Sequence, residues 1–119
     1  IRLEVHGPGT SELPHIKAIM DVATHPNVGV CWNCNDADLK GEGLEHNFRL
    51  VQDRLADTTH VRELTLTDYP YADLMRLLVQ AGYSGWILLE CHGQPADPVA
   101  ALQEQRRAFE ELVAGAHRA

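Results

Sequence analysis

Four short apolar runs alternate with four helical patterns along the chain, and this alternation limits the possible folds more than any other feature. The apolar runs are nearly continuous in Val, Ile, Leu and Trp, which is typical of parallel strands covered on both faces. Strands are predicted at 1–5, 28–33, 60–66 and 86–90, and helices at 12–24, 43–55, 71–81 and 98–114. Strands that alternate with helices favour βαβ units and a parallel sheet.

Turn and cap residues agree with these elements. Thr10 or Ser11 is predicted to cap the first helix, and Asp97 followed by proline to open the last one. Gly82 stands just after the third helix, where a left-handed residue often ends a helix. No low-complexity linker interrupts the pattern, so residues 1–119 are predicted to form one domain.

A chain of 119 residues with this pattern fits a small doubly wound sheet or half of a (β/α)8 barrel, which needs about 250 residues. Residues 7–9 (Gly-Pro-Gly) lack the GxGxxG spacing of a dinucleotide-binding turn. One polar residue stands near each predicted strand end, at intervals of 29, 27 and 30 residues: Glu4, Asn33, His60 and Glu90. The predicted fold class is therefore α/β, a (βα)4 half of a TIM barrel with parallel strands and helices on the outer face.

These four polar residues form a candidate metal site. Barrel enzymes place their chemistry at the C-terminal ends of the strands, where inward side chains enter the active site. Two carboxylates, an imidazole and an amide oxygen suit Mn²⁺ or Mg²⁺ better than a structural zinc ion. The alternative is that each residue is an ordinary polar strand end with its hydrogen bonds satisfied.

The segments around the four residues carry a resemblance to a known family. LEVHG contains Glu4, VGVCWN ends in Asn33, THVRE contains His60, and GYSGWILLE ends in Glu90. Together they resemble the sugar phosphate isomerase/epimerase superfamily, also described as xylose isomerase-like or AP-endonuclease-family-2 TIM barrels. The resemblance covers the whole chain but only the C-terminal half of the family fold, strands five to eight. It implies that these four residues hold one divalent cation.

Two residues differ from the pattern of the resembled family. Asn33 stands where the family usually has Asp, which removes one negative charge from the ligand set. Asp36 stands where the family often has a His that contacts substrate or a further metal. Asp36 or Asp38 could supply the missing charge by turning towards the ion. The resemblance thus implies a metal site of reduced charge.

The activity that the resemblance implies is aldose–ketose isomerisation or epimerisation of a small sugar or polyol. The cation would acidify a C–H between two bound oxygens, and Glu4 and Glu90 would exchange the proton as general acid and base. A dehydratase or hydrolase on the same scaffold would have the same sequence features. The identity of the sugar therefore stays open.

Three further residues are predicted to contact substrate. His6 follows Glu4 by two positions and so lies on the same side of the strand. Asn35 lies in the loop near the site and could hydrogen-bond a hydroxyl. Arg62 follows His60 by two positions and could bind a phosphate or carboxylate bidentately. The alternative for Arg62 is an ion pair with Glu63 or another acid.

Composition narrows the possible partners and compartments. Ten basic and seventeen acidic residues give a net charge of −7, which disfavours a nucleic-acid partner and hence an AP endonuclease. Such an endonuclease would also need additional His and Asp ligands for several zinc ions. No apolar run is long enough to span a bilayer. Three cysteines, interpreted as free thiols, favour the cytoplasm. The first residues have no secretory signal and begin like mid-strand, which predicts a longer chain.

A second function class follows from the half-barrel itself. The two outer strands of such a sheet have unpaired edges, and its inner face is open. Val5, Cys31, Trp86 and Leu88 are predicted to line that face. The chain is therefore expected to form a homo-oligomer in which two copies complete one barrel. On this alternative the protein is a non-catalytic fragment that folds by self-association.

Overall fold

The computed structural model describes all residues from 1 to 119. It contains strands β1 (Arg2–Glu4), β2 (Gly29–Asn33), β3 (Leu55–Val61) and β4 (Trp86–Leu89), and helices α1 (Leu13–Val22), α2 (Leu44–Arg49), α3 (Tyr71–Gln80) and α4 (Pro98–Arg118). All three strand pairings are parallel. The predicted α/β class and the alternation of strands with helices are confirmed. No helix is both long and apolar enough to cross a membrane.

The order of the strands separates the half-barrel from the doubly wound sheet. A doubly wound sheet reverses its strand order at one point, which places helices on both faces. Here the order is β1-β2-β3-β4 without a reversal. Crossovers of one hand then place every helix on the same face. One hydrophobic core joins residues of the strands to residues of all four helices. The fold is therefore a half-barrel-like (βα)4 unit.

We call the side of the sheet that packs on the helices the covered face. Val30, Trp32 and Val61 point to this side and are almost completely buried. The Trp32 ring packs on Phe48 of α2 with ring centroids 5.4 Å apart. Val5 is also fully buried in this core, so its predicted position on the inner face was wrong. The reason is the alternation of side chains, which directs Val5 away from the face that Glu4 occupies.

We call the other side of the sheet the open face. Its residues alternate with those of the core and end at the C-terminal edge of the strands: Glu4, Cys31, Asn33, His60, Trp86, Leu88 and Glu90. Trp86 is 72% exposed and Leu88 is 42% exposed. No helix covers these two side chains. The open face thus combines exposed apolar surface on β4 with polar residues at its C-terminal edge.

The second helix and the third strand differ from their predicted bounds. The helix predicted at 43–55 ends at Arg49 and is followed by a 3₁₀ turn at Gln52–Arg54. The strand predicted at 60–66 spans Leu55–Val61. Val51 fits helical spacing, but it reaches the core from the connection rather than from a helix. The predicted bounds of both elements were wrong.

A side chain in the connection between α2 and β3 fixes the early start of the strand. The Arg54 guanidinium donates hydrogen bonds to the carbonyl oxygens of Met20, Ala23 and Val28 at 2.6–3.0 Å. These bonds hold the turn beneath α1 and beside the start of β2. The pairing of β3 with β2 then shifts in register between Val30 and Trp32. This irregular start has no apolar run, so hydrophobic patterning does not reveal it.

The predicted helix ends are partly correct. The Asp97 carboxylate accepts a hydrogen bond from a first-turn N–H of α4 at 3.0 Å, as predicted. Gly82 ends α3 with a φ of 67°, a left-handed conformation that glycine adopts without a steric penalty. The prediction for α1 was wrong, because Glu12 rather than Thr10 or Ser11 precedes the helix and no side chain caps it.

Candidate metal centre

Three ligand-type side chains converge at the C-terminal edge of the open face. Glu4 is the last residue of β1, His60 is the next to last of β3, and Glu90 directly follows β4. One ligand atom from each lies within 4.8 Å of the other two. No other three His, Cys, Asp or Glu residues of the chain meet in this way. The structure thus brings together three of the four residues that the sequence predicted.

The placement of residue types across the sheet explains this convergence. Neighbouring strands lie about 4.8 Å apart, so residues on the outer strands β1 and β4 are far from one another. Both outer strands carry Glu, the carboxylate with the longer side chain, at their C-terminal ends. Asn33 and His60 are on the inner strands and pair directly across β2 and β3. The long Glu side chains at the ends of the outer strands therefore extend inward, towards Asn33 and His60 on the inner strands.

The His60 imidazole lies between the two carboxylates. Its Nδ1 atom is 3.3 Å from Glu4 Oε1 and 3.7 Å from Glu90 Oε2. This nitrogen is buried and has no aligned hydrogen-bond partner, although the His60 side chain is 25% exposed. A proton on the imidazole or a cation shared by all three groups would satisfy the arrangement. The donor set therefore fits a divalent cation.

Asn33 lies beside the three converging residues and is buried. Its amide nitrogen donates a hydrogen bond to Glu4 Oε1 at 3.1 Å. The same nitrogen is 3.3 Å from Nδ1 of His6, an exposed residue just beyond β1. Asn33 thus positions the Glu4 carboxylate through its nitrogen, and His6 borders the site as predicted from its spacing. Ligation by Asn33 stays a prediction.

Asn35 joins the ends of two strands. Its amide nitrogen donates hydrogen bonds to the carbonyl oxygens of Val5 at 2.6 Å and Asn33 at 2.9 Å. Both amide hydrogens therefore have backbone partners close to the candidate metal centre. This geometry holds the C-terminal ends of β1 and β2 together. A contact of Asn35 with substrate stays a prediction and would use its oxygen.

Asp38 is buried behind the site rather than turned towards it. Its Oδ2 atom accepts hydrogen bonds from the Tyr69 hydroxyl at 2.6 Å and from the Asn35 N–H at 2.9 Å. Burial raises the pKa of Asp38 to about 7, although these two hydrogen bonds act in the opposite direction. The prediction that Asp38 could supply charge to a bound ion was wrong, because these hydrogen bonds hold its carboxylate on the side of the covered face. Asp36 is exposed.

The bond between Asp38 and Tyr69 was not found from the sequence. The sequence DYPY around Tyr69 predicts only helix capping and packing, and the bond joins residues 31 positions apart. Tyr69 is buried, and burial raises the pKa of its hydroxyl above the ordinary range. A buried tyrosine normally needs a partner for its O–H. That rule predicts a partner for Tyr69 but does not identify Asp38.

Arg62 lies at ion-pair distance from Asp68 rather than from Glu63, which agrees with the predicted alternative of a pair with Glu63 or another acid. Its Nη2 atom is 3.6 Å from Asp68 Oδ2. Glu63 instead accepts hydrogen bonds from the backbone N–H groups of His92 at 2.9 Å and Gly93 at 2.6 Å. The hydrogen bond from Gly93 makes the largest contribution to lowering the pKa of Glu63, and the bond from His92 acts in the same direction. Both bonds hold the loop after β4. Arg62 is therefore only loosely paired.

Cys31 and Cys34 have the CxxC spacing of a redox or zinc pair, but they do not form one site. Cys34 belongs to the hydrophobic core of the covered face, whereas Cys31 lies on the open face. Burial raises the pKa of both thiols, and that of Cys34 reaches about 12. The Cys34 thiol donates a hydrogen bond to the carbonyl oxygen of His60, with the sulfur and oxygen atoms 3.4 Å apart. The two sulfur atoms point to opposite sides of the sheet and do not act together.

Comparison with protein-family models gives no match for this chain, and comparison with curated proteins gives none either.

Proposed function

We propose that this chain is the metal-binding part of an isomerase or epimerase that acts on a small sugar or polyol. The observation that carries the proposal is the convergence of Glu4, His60 and Glu90 within 4.8 Å at the C-terminal ends of parallel strands. Two carboxylates and an imidazole fit Mn²⁺ or Mg²⁺. The resemblance to the sugar phosphate isomerase/epimerase superfamily supports the same site. It also supports the assignment of the chain to the C-terminal half of a barrel.

Glu4, His60 and Glu90 would hold the divalent cation, which would supply Lewis-acid polarisation of a carbonyl and its neighbouring hydroxyl. Glu4 and Glu90 come from the two outer strands and hold their carboxylates on either side of His60. One carboxylate would take the proton from the carbon beside the carbonyl and become a carboxylic acid, and the other would begin as the carboxylic acid and return a proton to the substrate, so that the two groups exchange protonation states in each turnover. Asn33 fixes the orientation of Glu4. A half-turn of its amide would give up this hydrogen bond and would instead present the amide oxygen as a fourth, neutral ligand.

A nucleic-acid hydrolase is less well supported. The chain forms a single group of three ligands, whereas the AP-endonuclease alternative needs additional ligands for several zinc ions. The net charge of −7 also opposes the neutralisation of phosphates that nucleic-acid binding requires. A single cation and a small polar substrate are therefore the better match.

Calorimetric titration of Mn²⁺ tests the proposed metal site. Glu90→Gln should weaken binding by about tenfold or more, because it removes a charged ligand from a hard cation. Asn33→Asp should tighten binding by restoring a negative charge. Glu110→Gln is the matched control, since Glu110 is an exposed carboxylate on α4. Equal affinities for all four proteins would contradict the metal site and the activity with it.

A second candidate function is assembly without catalysis. Trp86 and Leu88 leave apolar surface exposed on β4, and an exposed patch of this kind often marks an interface. On this proposal two copies related by a two-fold axis form one closed barrel. Sedimentation equilibrium of the purified chain and measurement of its Mn²⁺ content together distinguish the two candidate functions. A dimer that binds no metal would favour assembly alone, and a monomer would contradict it.

A further inference from the structure

The end of β1 that carries Glu4 has few backbone hydrogen bonds to hold it. β1 has three residues and is an outer strand that pairs with β2 alone. The last backbone bond between the two strands runs from the Val5 N–H to the carbonyl oxygen of Cys31 at 3.1 Å. Packing of the Val5 side chain in the core also holds this end, but the hydrophobic effect is not directional. Neither contact fixes the separation of the two strands beyond Glu4.

The Asn35 side chain continues the link between β1 and β2 past their last backbone bond. Its amide nitrogen donates one hydrogen bond to the Val5 carbonyl oxygen at 2.6 Å and one to the Asn33 carbonyl oxygen at 2.9 Å. The first acceptor directly follows Glu4, and the second is the last residue of β2. Hydrogen bonds are directional, so one planar amide with two partners fixes the distance between the two strand ends.

Asn35 is itself held by a carboxylate in the core. The Asp38 side chain is completely buried and accepts the backbone N–H of Asn35 at 2.9 Å. The same carboxylate oxygen accepts the Tyr69 hydroxyl at 2.6 Å. Hydrogen bonds in a buried setting are stronger than in water, so these contacts keep the Asn35 backbone in one place. The amide that bridges the strands therefore starts from a fixed position.

The position of β1 matters for the candidate metal centre because Glu4 comes from the strand farthest from Glu90. Glu4 Oε1 lies 3.3 Å from Nδ1 of His60, which is two strands away on β3. The three ligand atoms lie within 4.8 Å of one another, about the spacing of two neighbouring strands. A movement of the β1 end away from β2 would therefore take Glu4 out of the group.

We propose that Asn35 is a positioning residue of the candidate metal centre, which holds Glu4 beside His60 and Glu90 by bridging the ends of β1 and β2. The metal in this statement rests on the proposed function, whereas the placement of Glu4 beside His60 does not. Asn35 acts through the backbone on either side of the ligands and does not itself touch the ion. This role is separate from the substrate contact that the sequence predicts for Asn35.

A matched pair of variants separates positioning from stability. Asn35→Ala and Asn47→Ala each remove a side-chain amide that donates to two carbonyl groups. The Asn47 amide bonds to Asp38 and Lys40, in the same loop but away from the strand ends. Both variants should lower the urea midpoint by a similar amount. In calorimetric titrations, Mn²⁺ binding should weaken about tenfold in Asn35→Ala, as is typical when a group that orients a ligand is lost, and stay unchanged in Asn47→Ala.

NMR spectra of the metal-free proteins give a second measurement that needs no ion. The ring signals of His60 depend on the Glu4 carboxylate at 3.3 Å from Nδ1. At one fixed pH these signals should shift in Asn35→Ala, because Glu4 moves away, and should keep their parent positions in Asn47→Ala. Should Asn35→Ala fail to fold, Asn35→Ser retains one donor in place of two, and the same two measurements apply to it.

The outcomes separate this inference from the proposed function. Equal changes of Mn²⁺ affinity and of the His60 signals in the Asn35 and Asn47 variants would mean that Asn35 supports only the fold, and would overturn the inference. Parent-like values in the Asn35 variant would overturn it too, even where the parent chain binds Mn²⁺ and so keeps the proposed function. A parent chain without Mn²⁺ binding, combined with His60 signals that shift only in the Asn35 variant, supports the placement of Glu4 by Asn35 and rejects the proposed function.

Discussion

Trp32 and Trp86 belong to the same parallel sheet but to opposite faces of it. Trp32 is completely buried and packs on Phe48, whereas Trp86 is 72% exposed. Burial of apolar surface on the covered face supplies most of the favourable free energy of folding. The open face gives up part of that gain, and it is the face on which the candidate ligands meet. Along each strand, alternate residues thus belong either to the hydrophobic core of the covered face or to the open face that carries the candidate ligands.

The largest effect is expected from removal of the buried tryptophan. Trp32→Ala leaves a cavity between β2 and α2 and should lower the free energy of unfolding by about 3–5 kcal/mol. Urea denaturation followed by far-UV circular dichroism measures this loss. A loss below about 1 kcal/mol would mean that the covered face is not tightly packed, since such costs are typical of surface positions. The contrast between the faces would then be wrong.

A pH-dependent effect is expected from the ionisable group buried behind the covered face. Because the pKa of Asp38 is raised from 3.8 to about 7, the folded state holds its proton while the unfolded state releases it. The stabilisation is therefore complete below pH 3.8 and is lost as the pH rises to about 7. One pKa unit corresponds to about 1.4 kcal/mol, so the upper limit of this loss is about 4 kcal/mol.

Asp38→Asn provides the measurement of that effect. The asparagine oxygen can still accept the Tyr69 hydrogen bond but does not titrate. Urea denaturation at several pH values should show a smaller fall in stability between pH 4 and pH 7 for this variant than for the parent chain. Asp68→Asn, which changes an exposed carboxylate, serves as the control. Parallel curves for all three proteins would show that Asp38 is not the group responsible.

The smallest effect on folding is expected at the exposed tryptophan. Trp86→Ala should change the free energy of unfolding of the monomer by less than about 0.5 kcal/mol, because the side chain has little packing to lose. It should also weaken self-association if the open face is the contact between copies. Urea denaturation and sedimentation equilibrium on the same samples separate the two effects. A loss as large as that of Trp32→Ala would show that the open face is packed.

The sequence predicts those parts of the fold that depend on local patterns. The apolar runs locate β1, β2 and β4 to within a residue or two, and Asp97 and Gly82 mark helix ends by their own chemistry. The start of β3 escapes prediction because Arg54, which holds it, bonds to carbonyl groups far away in the chain. The alternation of side chains predicts the open face, and the same alternation places Val5, the neighbour of Glu4, on the covered face.

The candidate site divides in a similar way. Spacing predicts that Glu4, His60 and Glu90 share one edge of the sheet, since the C-terminal ends of parallel strands lie together. Spacing does not predict how an amide or guanidinium is oriented, because that depends on neighbours from other units. The amide nitrogen of Asn33 on Glu4 and the loose pairing of Arg62 with Asp68 are of this kind. Both are visible only in three dimensions.

The strand order β1-β2-β3-β4 has a consequence for the path by which the chain folds. Each strand pairs only with its neighbours in sequence, so the sheet can grow by adding one βα unit at a time, with short loops to close at every step. At the C-terminal edge of the sheet, the side chains of Glu4 and Glu90 bring ligand atoms of the first and last units to within 4.8 Å of each other. An ion bound there would cross-link residues that are far apart in the sequence. Metal binding would then stabilise the fully folded sheet relative to partly folded states by mass action.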